Sequence, residues 1–80
     1  MENKIAVLAV IVSEYEAVEK VNALLHEFRD FVVGRMGLPY RQKHVNIISV
    51  VLDAPAETIN SLSGKLGMIS GVSSKVLTAK

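Results

Sequence analysis

The chain has 80 residues, enough for one small domain spanning 1–80 and too few for two. Nine basic and eight acidic residues leave a net charge of +1, which gives no global field toward nucleic acid or an anionic membrane. The absence of cysteine excludes disulfides and thiolate metal sites and fits a cytoplasmic protein. Ile5 to Val12 is apolar at both parities, the pattern of a strand covered on both faces, and it is much shorter than the ~20 residues of a membrane span. Ser13-Glu14-Tyr15-Glu16 has capping-box spacing and predicts a helix start, with Val18, Val21, Leu24, Leu25 and Phe28 as its apolar stripe.

Phe31-Val32-Val33 predicts a second strand, interrupted by Gly34 to Tyr40; Pro39 makes it an edge, because proline cannot donate to a central ladder. Arg41 to His44 reads as a turn, and Val45 to Leu52 as a second strand with apolar residues on both faces. Asp53-Ala54-Pro55-Ala56-Glu57 is read as the next helix start, with Asp53 as its cap or dipole partner. Ile59, Leu62 and Leu66 form the buried stripe, Gly64 is read as a close helix-to-sheet contact, and Gly67 as the left-handed stop. Val72 to Thr78 alternates and supplies a fourth strand.

The order βαββαβ predicts an α+β, ferredoxin-like domain: a four-stranded antiparallel sheet with two helices on one face and the first and third strands central. Two helices cover one face only. The apolar residues on the other face of the central strands therefore call for a second copy, as a homo-dimer or homo-tetramer.

Over nearly its whole length the chain resembles the small ACT-like proteins described as iron-only hydrogenase system regulators. HEFRDFVVGRMGLPYR, HVNIISVVLDAP and INSLSGKLGMISGVSSK carry the resemblance. It implies a ferredoxin-like fold, a homo-oligomer and a regulatory role linked to the expression or maturation of iron-only hydrogenase, with no established activity; an enzyme is not expected. A more distant similarity is to the regulatory domain of nickel-responsive repressors, where His26 matches one metal-binding histidine. Gly37 and Pro39 stand where the strand histidines would be and no cysteine is present, so the similarity does not carry the nickel site over. The chain also starts at its first strand, where those repressors place a ribbon-helix-helix, and direct DNA binding is not expected.

The strongest candidate for a ligand site is the segment Arg35, Met36, Gly37, Tyr40 and Arg41. Its glycines allow backbone approach, its arginines can fork onto carboxylate or phosphate, and Tyr40 offers a flat face. The competing reading is a protected edge strand. His26 and His44 are weaker metal candidates, too few for a site without further ligands. The SGKLG sequence lacks phosphate-loop spacing and ends a helix, and Ser61, Ser63, Ser70, Ser73 and Ser74 show no triad arrangement. ACT-type amino-acid binding usually uses a glycine between the first strand and helix, and Val12-Ser13-Glu14-Tyr15 has none. No cofactor is expected. The central strands IAVLAVIV and VNIISVVL carry no aromatic residue, which removes base stacking of the kind that RNA-binding sheets use. The expected function is a ligand-sensing regulator; the alternatives are a scaffold for a larger assembly and a small ferredoxin-like enzyme.

Overall fold

The computed structural model describes residues 2–79. Its elements run β1 (Asn3–Val12), α1 (Ala17–Glu27), β2 (Val32–Tyr40), β3 (Val45–Pro55), α2 (Ala56–Gly67) and β4 (Val72–Thr78). Single 3₁₀ turns at Arg29–Phe31 and Arg41–Lys43 flank β2. The strands form one sheet in the order β2-β3-β1-β4, with every pair antiparallel. This is the ferredoxin-like arrangement, with β1 and β3 in the centre as their apolar runs require.

The core lies between the sheet and both helices. Ala6, Leu8, Val10 and Val12 of β1 and Ile48, Val50, Leu52 and Ala54 of β3 point to it, alternating with residues on the opposite face. Ala17, Val21 and Leu25 of α1, four residues apart, meet Ile59, Leu62 and Leu66 of α2 over that surface. Val18, Leu24 and Phe28 close the margin, and Lys65 Nζ sits 5.5 Å from the Phe28 ring centroid. No polar side chain is buried in the core among the described residues.

Local details differ from the sequence expectations where tertiary partners intervene. The Ser13–Glu16 capping box does not form: α1 begins at Ala17, and Glu16 makes no side-chain cap. Ser13 is held instead by the chain entering β4, donating from its amide (2.7 Å) and its hydroxyl (3.1 Å) to the Gly71 carbonyl. The left-handed position falls at Gly71, with φ of 81°, while Gly67 remains helical. A Cβ on Gly71 would lie 2.6 Å from Glu14 Cγ, and the Glu14 carboxylate accepts from Ser70 Oγ at 3.1 Å. Gly64 is exposed, and a Cβ there would meet nothing within 4 Å, so it is no close helix-to-sheet contact. Asp53 lies within β3, opposite Ile5, and is not a cap; Pro55 occupies that place in extended conformation and α2 starts at Ala56. Pro55's fixed φ of −61° suits this junction and Ala56 continues into the helix.

The second strand is continuous from Val32 to Tyr40, and Phe31 belongs to the preceding 3₁₀ turn. Glycine and proline do not interrupt it; the irregularity is a bulge between Val32 and Gly34, which leaves Val33 unpaired against β3. Pro39 sits on the sheet edge as expected. Among the described residues, no helix is long and apolar enough to cross a membrane.

Candidate functional site

Strand geometry divides the proposed ligand segment between two faces. Arg35, Gly37 and Pro39 pair with Val50, Ile48 and Asn46 on the helix side. Met36, Leu38 and Tyr40 pair with Ser49, Ile47 and Val45 on the open side. The structure therefore does not bring Arg35 together with Tyr40 and Arg41. Met36 is 70% exposed on the open face, and a Cβ on Gly34 or Gly37 would meet no atom within 4 Å.

Tyr40 and Arg41 instead join residues from the other side of the sheet end. A cavity of about 530 Å³ is lined by Tyr15, Pro39, Tyr40, Arg41, His44, Val45 and Asn46. The turn after β1 delivers Tyr15, and the adjoining ends of β2 and β3 with the turn between them deliver the remainder. Two phenol rings, an imidazole and a guanidinium thus border one space, with the apolar flanks of Pro39 and Val45 between them. Such a lining can stack a planar or aliphatic body and hold a negative group with Arg41. His44 adopts a left-handed backbone conformation, φ 56°, an unusual position for a residue with a side chain. Holding histidine there turns its imidazole to the cavity rim at a conformational cost that glycine would avoid.

Arg35 lies elsewhere, its Nη2 donating to Asn22 Oδ1 of α1 at 2.7 Å. His26 lies with Arg35 in a separate cavity, far in sequence and in site from His44. Among the described residues, no three of His, Cys, Asp and Glu converge as a set of metal ligands. Tyr15, Val45 and Asn46 line the cavity without having been expected at a site, and His44 was expected only as a weak metal candidate. The sequence does not group them, because what unites them is the antiparallel return of β3 beside β1.

The sheet order and the two helices on one face define a small ferredoxin-like α+β module. The family model described as "TM1266-like: Iron-only hydrogenase system regulator, putative" matches residues 4–76, and the chain belongs to that family. The solved structure of uncharacterized protein TM1266 from Thermotoga maritima is similar at 40% identity and a TM-score of 0.95, over 99% of this chain and 100% of that one. A formyltetrahydrofolate deformylase from Pseudomonas putida KT2440 shares the fold at a TM-score of 0.65 and 18% identity, over 91% of this chain and 28% of that protein. No curated protein matches the chain.

Proposed function

We propose that this protein is a non-catalytic regulator of an iron-only hydrogenase system that works as a homo-oligomer and responds to a small molecule. The observation that carries the assembly is the uncovered sheet face. Ile5, Val7, Ile11, Ile47, Met36, Leu38 and Leu77 are each 37–74% exposed on it, spanning all four strands. Contiguous apolar exposure on this scale is covered in stable soluble proteins, and a second copy offers a self-complementary cover. Lys75, opposite Ala9, and Asp53, opposite Ile5, stand on the same face four β1 residues apart, so a two-fold copy can set unlike charges against each other.

The effector site in this reading is the cavity of Tyr15, Tyr40, Arg41 and His44, close to the edge of the open face. Oligomer contacts and ligand contacts then meet along β2 and the turn after it, with Met36 and Leu38 facing the partner copy and Tyr40 and Arg41 the ligand. A ligand that binds one arrangement of the copies better than another shifts the population, which is all that a sensor requires.

Native mass spectrometry of freshly purified protein tests both halves. The expected spectrum shows a dimer or tetramer carrying a retained small molecule, with the molecule lost in Tyr40→Ala and Arg41→Gln. A clean monomer without adduct would overturn the proposal. A one-to-one assembly with a different protein would replace it with the scaffold reading.

A further inference from the structure

A second concave site lies between α1 and the edge strand β2. Asn22, Leu25, His26, Arg29, Val32 and Arg35 line a cavity of about 300 Å³. Asn22, His26 and Arg29 succeed one another at four- and three-residue steps, which stacks them along one flank of α1 and the turn that follows it. Arg35 reaches the same place because of the bulge. Val32 pairs with Leu52 on the core side, Val33 is the extra residue, and Gly34 pairs with Val51 on the open side. Without that extra residue, strand alternation would put Arg35 on the open face; with it, Arg35 pairs with Val50 and turns toward α1.

Both guanidiniums are fixed by neutral acceptors. Arg35 Nη2 donates to Asn22 Oδ1 at 2.7 Å, and Arg29 Nη1 donates to the His26 carbonyl at 3.0 Å. Each bond uses one of five N–H donors and leaves the charge uncompensated. Among the described residues, neither guanidinium has a carboxylate partner. The C-terminal end of α1 supplies only about half a negative charge, so two arginines leave the site positive. Leu25 and Val32 give it an apolar floor beneath those donors.

We propose that this cavity binds a small organic dianion, a dicarboxylate or a phosphate monoester. Its two charged oxygens lie across the forks of Arg29 and Arg35, its short carbon body lies on Leu25 and Val32, and Asn22 and His26 contribute hydrogen bonds at the rim. Preorganisation by Asn22 and the His26 carbonyl lowers the rotamer entropy lost when the arginines take the ligand. The site is independent of the cavity at Tyr40 and Arg41, and no residue is shared between them.

The test is nitrogen-15 NMR titration of the full chain with succinate and, separately, glycerol 3-phosphate, at constant ionic strength held by chloride. The expected result is saturable shifts of the Arg29 and Arg35 side-chain Nε–H signals and of nearby amides for at least one probe, the responding probe naming the anion class. Arg29→Gln and Arg35→Gln each weaken that binding roughly tenfold or more, and Arg35→Lys restores little, because an ammonium cannot fork. These side chains are exposed, so the amide spectrum elsewhere is retained and reports intact folding. Shifts that stay linear for both probes overturn the proposal, as does unchanged affinity in the Arg29→Gln/Arg35→Gln pair. Signals of Tyr15, Tyr40 and His44 report the other cavity in the same spectra, so failure here is separable from failure there.

Discussion

The two faces of this sheet are built from the same strands, yet only one is sealed by the chain itself. In β1, Leu8 and Val10 are fully buried beneath the helices, while their neighbours Val7 and Ile11 are 41% and 47% exposed. The residues differ little in hydrophobicity, so the difference lies in what covers them. The helix face closes a monomer's core. The open face leaves apolar residues uncovered, and in the proposed homo-oligomer their energetics become visible as concentration dependence.

That contrast can be broken most forcefully by Leu8→Ala. Removing a fully buried leucine should cost about 2–5 kcal/mol in denaturant unfolding, whatever the protein concentration. Val7→Lys, one residue away, should leave the monomer folded but place a charge in the proposed interface. A penalty of about 1–3 kcal/mol there corresponds to roughly five- to 150-fold weaker association. Light scattering across a dilution series measures it, and an unchanged mass would mean that the open face is not where copies meet.

Smaller effects probe the turns that join the faces. Gly71→Ala should destabilise by about 1–2 kcal/mol, because an L-residue is strained at φ 81° and its Cβ displaces Glu14 from Ser70. Thermal unfolding beside a Gly67→Ala control reads it directly, and the control should be neutral or slightly stabilising, since Gly67 lies in the helix. His44→Gly should gain about 0.5–1 kcal/mol by relieving the left-handed histidine. If His44 serves the cavity, the same variant should lose the retained small molecule, so stability and binding move in opposite directions.

The element order, the two central strands and the edge position of β2 were legible in the sequence because period-2 and helical apolar patterns are local properties. Family membership was legible too, from three long segments that together cover most of the chain. The candidate site was legible only in part. Tyr40 and Arg41 do line a cavity, but Arg35 was grouped with them through adjacency along a strand whose successive side chains point to opposite faces.

By itself, then, the sequence determined a ferredoxin-like domain with more apolar strand surface than two helices can cover. Tertiary structure decided what depends on contacts between distant residues. Ser13 donates its hydroxyl to the Gly71 carbonyl and accepts from no helix amide, because β4 arrives beside the end of β1. Gly71 takes the left-handed turn because the chain reverses there to enter β4. One extra residue at Val33 sends Arg35 toward Asn22, separating it from Tyr40, and a bulge of this kind is fixed by the register against β3. Local pattern fixes which residues can be buried, whereas register and chain return decide which polar groups meet.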